Sequence, residues 1–476
     1  MSRKSTYVIF SIILIFLISI FVFFFFLYQK NSAGQYNLKG NLSNSIRDFL
    51  PFGKIAPLQT IPQTQNQQVT TQTNEATTSS FAVVIPVLRQ ISTAPIAGST
   101  IVNSTSTIIQ DKIKIVKVDQ SIRFVDRSTG HIFETNKNSL NVTELSNTTI
   151  PKVYEAFFSS NPNVAIFRFL SGSSDTIISQ QAYLFNPASS TVATTTKKIT
   201  SSSTPEATST VLTTPYTGTT YITKKAILPN DLESVALSPT SQKLVYLFEN
   251  ENGGTFVLSN TDGSKPIKLY SSALEQWLID WPNENGVVIT TKPSGVANGI
   301  SLLINTKTGA LSKVASGNGL TTLVSPDLTE ALVGASKEGS SLQFAALTKL
   351  NKLVNLSLKT LPEKCVWSHT EKSTVYCAVP ENIPQGTYPD NWYQGLVSFT
   401  DNLWKINIST GVSKVVSLFN RGYRKNFDVI NLQLSSDDSY LTFENKNDLI
   451  LWGYRLKNPD TTSSTATSTS TTTKSL

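Results

Sequence analysis

The sequence predicts an all-β protein in which one short sheet is built again and again. Three observations predict it. First, a turn flanked by apolar runs recurs as "FFSSNPNVAIFRF", "ALSPTSQKLVYLF", "IDWPNENGVVITT", "LVSPDLTEALVGA", "CVWSHTEKSTVYCAV" and "LQLSSDDSYLTFE". Second, the turns fall at Ser160, Ser238, Trp281, Ser325, Ser368 and Ser435, and three consecutive steps are 43, 44 and 43 residues. Third, the apolar runs are short, and no long stretch has helical periodicity.

Each unit is expected to hold two hairpins. The second is an apolar strand, a polar turn with glycine and another apolar strand: "FVDRSTGHIFE", "LSNTDGSKPIKL", "LINTKTGALSKV" and "KINISTGVSKVV". Gly130, Gly263, Gly309 and Gly411 occupy turn positions that favour positive φ. Four strands in about 43 residues is the signature of a β-propeller. A lone four-stranded sheet exposes its edges and both faces, whereas radial packing covers the faces and ring closure removes the free ends.

The two long steps of the repeat, 78 and 67 residues, each contain an insertion. The first is the Ser/Thr-rich stretch near 188–215. The second is "PENIPQGTYPDNWYQG", near 380–395. The six turns and the upstream strands of "KIKIVKVDQSIRFVDRSTGHIFETN" predict seven four-stranded blades, with six or eight as the neighbouring solutions. The last unit stops after three strands at "DLILWGYRL", so a strand near "FAVVIPVLRQ" is expected to complete it and latch the ring.

The propeller is thus assigned to residues 85–457. Before it, Tyr7 to Tyr28 form an uncharged apolar run, about 33 Å long as a helix and sufficient for a bilayer core. A cleaved signal peptide would have a shorter apolar region followed by small residues. The expectation is a single-pass anchor at 7–28, with cytoplasmic residues 1–6 and an extracytoplasmic propeller, in the periplasm or at the cell surface. Residues 29–84 read as a juxtamembrane segment and flexible linker, and 458–476 as a Ser/Thr-rich disordered tail.

Charge adds little. The chain carries +8, but residues 1–54 hold +5 of it, around the apolar run. The remaining +3 provides no polyanion footprint, so nucleic acid is not an expected partner. Cys365 and Cys377 lie equidistant from Glu371 at the centre of a predicted hairpin. They are candidates for a cross-strand disulfide, permitted outside the cytoplasm; two buried thiols are the alternative.

The unit "SPTSQKLVYLF" followed by "LSNTDGSKPIKL" resembles the repeat of TolB-like and WD-repeat-like propellers. There a Ser-Pro-Asp-Gly turn precedes a strand and a glycine hairpin closes the blade. Here the Asp-Gly is mostly missing, and only Ser325-Pro326-Asp327 comes near. The chain over 85–457, with "IRFVDRSTGHIFET" and "NWYQGLVSFTDNLWKI", also resembles membrane-anchored bacterial propeller proteins. The resemblance implies fold and location, and brings no catalytic residues.

Catalytic signatures are scarce. His131 and His369 have no nearby Cys or second His at ligand spacing, which argues against zinc. Gly-x-Ser-x-Gly, P-loop and dinucleotide motifs are absent from the sequence. No cofactor is expected, and no metal site. Asp437-Asp438 reads as a solvated turn, and Asp262-Gly263 as a turn. Carboxylates from different blades meeting in the channel would suit a glycan hydrolase or lyase, but nothing in the sequence marks which they are.

The sharpest lead is the sixth-blade insertion. Tyr388, Trp392 and Tyr393, with Arg421, Tyr423 and Arg424 of "FNRGYRKNF", fall on connections that a propeller places on one face. Tyr, Trp and Arg are enriched at binding hot spots, so they are a candidate binding patch. The alternative is that the aromatics pack back on the blade. The functional expectation is a non-enzymatic binding or scaffold module for a protein or a cell-envelope glycan. The enzyme reading is the alternative.

Overall fold

A computed structural model describes residues 85–110, 113–172, 176–185, 221–421, 423 and 425–457. The expected anchor, linker, Ser/Thr-rich stretch and tail lie outside these residues. Among the described residues, no helix is long and apolar enough to cross a membrane.

Seven four-stranded antiparallel sheets make the fold. In chain order, β1 is Leu88–Gln90, and the first blade is β2 (Ile96–Gln110), β3 (Ile113–Asp126), β4 (Ile132–Asn136) and β5 (Val142–Glu144). The second is β6 (Val153–Phe158), β7 (Val164–Leu170), β8 (Ile177–Phe185) and β9 (Tyr221–Ile227). The third is β10 (Ser234–Leu237), β11 (Lys243–Asn250), β12 (Gly253–Asn260) and β13 (Ile267–Ser272). The fourth is β14 (Trp277–Asn283), β15 (Gly286–Thr291), β16 (Asn298–Asn305) and β17 (Leu311–Asn318). The fifth is β18 (Thr321–Val324), β19 (Glu330–Lys337), β20 (Ser341–Thr348) and β21 (Lys352–Asn355). The sixth is β22 (Cys365–Trp367), β23 (Thr374–Pro380), β24 (Asp401–Asn407) and β25 (Ser413–Ser417). The seventh holds β26 (Val429–Leu434), β27 (Tyr440–Asn445) and β28 (Ile450–Arg455), and β1 is its fourth strand.

The latch is therefore Leu88–Gln90, opposite Trp452 to Tyr454 in β28. The ring is closed by a strand from the other end of the chain, within the segment the sequence pointed to. The apolar runs follow from this packing. β23 and β27 are buried at every position, and β15 at all but its last. A blade covered on both faces has no solvent side, so its central strands lose the alternation of a half-exposed sheet.

The recurring serine also has a physical reason. Ser435 Oγ accepts the backbone N–H groups of Ser439 (3.0 Å) and Tyr440 (2.9 Å) and donates to Asp437 (2.6 Å). Ser325 Oγ does the same with Thr329, Glu330 and Asp327. One hydroxyl satisfies donors that a tight turn leaves free.

These turns then join blade to blade. Gln242 of the third blade donates to Ser160 of the second (3.0 Å), and Glu284 of the fourth accepts from Thr240 and Ser241 of the third. Asn283 of the fourth donates to the Pro326 carbonyl of the fifth (2.8 Å), and Ser373 of the sixth to Glu330 of the fifth (2.9 Å). Asp438 of the seventh accepts from His369 and Thr370 of the sixth. Gln120 of the first reaches Asp437 of the seventh (3.2 Å), and Arg123 of the first reaches Asn163 of the second (2.9 Å). All seven junctions are bridged on this face. The expectation that Asp437-Asp438 is a solvated turn is corrected for Asp438, which is buried and bonded across a blade junction.

Gly263, Gly309 and Gly411 adopt positive φ in the turn between the third and fourth strands of their blades. Gly130 has φ of 72° as well, but it joins the second and third strands of the first blade, at the opposite face. The first blade departs from the repeat in another way. In β2 and β3, the pairs from Asn103–Gln120 to Gln110–Ile113 lie beyond the part of β3 that pairs with β4. That extension is about 25 Å long at ~3.4 Å per residue.

Candidate functional site: the channel end beneath the sixth-blade insertion

The sixth-blade insertion joins the second and third strands and emerges on the face opposite the serine turns. It carries a one-turn helix, α1 (Asp390–Tyr393), after a cis Tyr388–Pro389 bond. It folds across the ring. Tyr388 N–H donates to the Gly339 carbonyl of the fifth blade (2.9 Å), and Asp390 Oδ2 accepts the Gly295 N–H of the fourth (2.6 Å). Gly295 and Gly319 are needed for this approach: a Cβ on either would lie within 3 Å of the Tyr388 carbonyl oxygen.

The exposed aromatic patch expected here does not form. Tyr388 and Trp392 are 0% and 3% exposed, in a cluster with Leu342, Leu361 and Phe399. Tyr423 is half-buried, and its hydroxyl donates to the Leu88 carbonyl (2.5 Å), so it holds the latch. Tyr393 and Arg421 are exposed, and Arg424 lies outside the described residues. The aromatic rings gain more by covering one another and the blade ends than by facing water.

What fixes the insertion is a buried ionic cluster. Lys364 Nζ lies 2.6 Å from Asp428 Oδ1 and 2.8 Å from Asp401 Oδ2, with all three side chains inaccessible to solvent. Its third donor goes to the Val429 carbonyl (2.8 Å). Trp392 Nε1 donates to both Asp428 oxygens at 3.0 Å, and the ammonium lies 4.8 Å from the Trp392 ring centroid. Asp428 also accepts from Phe399 N–H. Lys364 and Asp401 belong to the sixth blade, Asp428 enters the seventh, and Trp392 belongs to the insertion. The cluster therefore locks three pieces together. Burial drives the Asp401 carboxyl up to about 6 against the pull of Lys364 and the Val429 N–H.

Under the insertion lies a cavity of about 390 Å³ at one end of the central channel, between the fourth, fifth, sixth and seventh blades. Its polar lining includes Asp280 of β14, Thr321 and Thr322 of β18, Glu363 just before β22, and Asn431 of β26. Leu278, Leu323 and Leu432 supply apolar wall. Glu363 is the link to the insertion: Tyr393 Oη donates to its Oε2 at 2.6 Å. Its Oε1 is buried with no hydrogen-bond partner among the described residues, as is Thr321 Oγ1.

Both channel carboxyls hold protons more tightly than usual. Burial raises Glu363 to about 7, partly opposed by the Tyr393 hydrogen bond and by Lys364. Burial raises Asp280 to about 6, opposed only by the Trp281 N–H. Each touches channel space yet is surrounded by protein, so the charged form loses most of its hydration. The second cavity, about 420 Å³ at the serine-turn face between the first three blades, has no titratable lining residue.

Cys365 and Cys377 are direct cross-strand partners in β22 and β23 and form a disulfide. His131 bonds to Glu144 (2.7 Å) and Thr149, and His369 to the Ser435 carbonyl (3.1 Å). Among the described residues no group of three His, Cys, Asp or Glu side chains is placed to hold a metal ion. Sequence reasoning did not single out Asp280 or Glu363. The available signal was a carboxylate in or beside an innermost strand, where a side chain can face the channel.

The fold and its axial cavity define a class: the chain is a seven-bladed β-propeller. No family model matches it, and no curated protein matches its sequence. Solved structures similar to it include an oligogalacturonate lyase in complex with manganese, at 10% identity and TM-score 0.45, covering 76% of this chain and 99% of that one. They also include TolB from Acinetobacter baumannii, at 14% identity and TM-score 0.31, covering 46% of this chain and 54% of that one. The β-propeller domain of the Trilobed protease from Pyrococcus furiosus, described as having an open velcro topology, matches at 10% identity and TM-score 0.40, over 75% and 98%.

Proposed function

We propose that this protein is a membrane-anchored extracytoplasmic binding module, whose partner, a protein or a cell-envelope glycan, docks on the face bearing the sixth-blade insertion. One observation carries the reading. The described propeller starts beside Leu88 and ends beyond Arg455, and the pairing of Leu88 with Tyr454 puts both ends at the serine-turn face. Lys457 Nζ, at the far end, donates to the Asp437 carbonyl of a serine turn (2.7 Å). Both ends of the described propeller thus leave the insertion face uncovered.

The insertion face carries apolar side chains in water. Val296 and Leu396 are 78% and 71% exposed, and Tyr393 of α1 is exposed as well. Val296 adjoins Gly295, which bonds to Asp390, so the fourth-blade loop and the insertion form one surface. Exposed apolar groups on a braced surface suit recognition, because little ordering entropy is lost on binding. The test is crosslinking and pull-down from membranes with the full chain and with Val296→Asp and Leu396→Asp. Loss of a partner with both variants supports the reading, and an unchanged set of partners removes it.

A second reading, a glycan hydrolase or lyase working in the channel, is favoured by Asp280 and Glu363, two carboxyls with raised proton affinity in one cavity. Turnover of envelope polysaccharides by the full chain, abolished by Asp280→Asn or Glu363→Gln, would support it.

A further inference from the structure

The outermost strands of the blades leave polar side chains in water, and at two of them the sequence carries a modification pattern. Asn-x-Ser/Thr, with any residue but proline between, is the acceptor pattern for an N-linked glycan. Within the described residues it occurs at Asn103, Asn141, Asn147, Asn355 and Asn407. The sequence does not rank these five. The structure does, because the acceptor amide and the hydroxyl two residues on must both be free to enter a transferase.

Three of the five are engaged. Asn407 Oδ1 accepts the Thr410 N–H (3.0 Å) and the Thr410 hydroxyl (3.1 Å) in the turn that holds Gly411. Asn103 Oδ1 accepts from Gln120 (3.1 Å) and, across a blade junction, from Ser436 (3.2 Å). Asn147 is exposed, but the hydroxyl of Thr149, the third residue of its pattern, bonds to the His131 ring (3.0 Å). Asn141 and Asn355 differ. Both are exposed, as are Thr143 and Ser357, and none of these four side chains makes a hydrogen bond among the described residues.

A second observation falls at the same two positions. Asn141 sits between Leu140 and Val142, both exposed, and Asn355 is two residues from Leu353, which is exposed as well. In β21, Leu353 and Asn355 share a face. Val142 begins β5, and β5 and β21 are the edge strands of their sheets. A free sheet edge carrying apolar side chains invites pairing with another chain, and proteins cover such edges. A hydrated glycan rooted beside them does so.

We propose that Asn141 and Asn355 carry N-linked glycans. In the transfer, the Asn Nδ2 attacks C1 of the first sugar of a lipid-pyrophosphate-linked oligosaccharide. The N–C1 bond forms and the C1–O bond breaks. The pyrophosphate leaves with the bonding pair, and the amide gives up one proton. The inference rests on the extracytoplasmic reading, because the lipid-linked donor is consumed outside the cytoplasm. It does not use Val296 or Leu396.

The experiment is mass spectrometry of peptides spanning each of the five asparagines, from the full chain purified from its own membranes. Protease treatment of cells with a permeabilised outer envelope runs alongside it. The expected result is sugar on Asn141 and Asn355, with Asn103, Asn147 and Asn407 bare. Thr143→Ala and Ser357→Ala keep the acceptor and remove only an exposed hydroxyl, so each should abolish the sugar at its own site and leave the other. A bare asparagine at either position, in a chain that the added protease digests, overturns that assignment while the extracytoplasmic reading stands. A bare chain that the protease does not reach overturns both. Sugar on the three engaged asparagines, or sugar that survives the two alanine variants, would overturn the selection of sites by free amide and hydroxyl.

Discussion

Arg89, on the closing strand of the seventh blade, donates from Nη2 to the Asn136 carbonyl of the first blade at 2.9 Å. Its Nε donates to the Tyr440 hydroxyl (3.0 Å), and Nη1 bonds to the Ser139 carbonyl. One buried guanidinium thus ties the latch both to its own blade and to the next. The join between the two ends of the chain is where a propeller ring is weakest.

Arg89→Met should therefore destabilise the ring by about 2–3 kcal/mol, because it leaves buried acceptors unpaired while keeping most of the side-chain volume. Denaturant unfolding measures the loss. Hydrogen exchange should speed up first in β1 and β28. Uniform exchange across all blades would show that the latch is not the weak point.

Removing the lysine of the buried cluster should cost more. Lys364→Met leaves Asp401 and Asp428 facing each other without their cation, and breaking one side of a buried pair costs about 3–5 kcal/mol. The insertion should loosen with it, since Trp392 is held by Asp428. Trp392 fluorescence shifting to the red and proteolysis near Gly395 would report this. Loss of stability with an unchanged insertion would separate the two roles.

Stability should pass through a maximum in mildly acidic solution. Glu363 and Glu444, both raised by burial to about 7, and Asp280 and Asp401, at about 6, bind protons more tightly folded than unfolded. The native state thus loses stability as pH rises from their unfolded values through about 6 and 7. The turn carboxylates behave oppositely. Burial alone would raise Asp437, Asp438 and Asp327, but hydrogen bonds from turn hydroxyls and N–H groups outweigh it and lower them. Their contribution is present above the ordinary Asp range and lost as pH falls below it. A melting temperature that climbs from about pH 8 to about pH 5 and drops below about pH 4 is the expected profile. A monotonic rise with pH would contradict it.

Reducing the disulfide should weaken the sixth blade. Cys365 and Cys377 close a short loop between its first two strands, with a separation of 12 residues. A loop of that size is worth about 3 kcal/mol in the chain-entropy account. Thermal unfolding with and without reductant measures it. The change should vanish in a Cys365→Ser, Cys377→Ser double variant.

The repeat was legible because it is made locally. A serine hydroxyl that satisfies two turn N–H groups recurs at this turn in four units, at Ser238, Ser325, Ser368 and Ser435, so the period could be read from spacing. The latch was legible for a related reason: a last unit with three strands needs a fourth. The first blade was less readable, since its Gly130 turn lies on the other connection from Gly263.

The candidate site was decided elsewhere. Tyr388, Trp392 and Tyr393 stand in a polar loop, and nothing within that loop says which rings will face water. Gly295, Gly339 and Asp428, from three other blades, settle it by providing a surface that buries two of them. Asp280 and Glu363 lie 83 residues apart in the sequence and meet one cavity only because ring closure turns separate innermost strands toward a common axis. Sequence alone determined the repeated sheet and its turns, since those depend on hydrogen bonds within a few residues, and it brought the blade number to seven or its neighbours; ring closure fixed seven. Tertiary structure alone decided which side chains became buried or faced the channel, because burial depends on what the rest of the chain brings alongside.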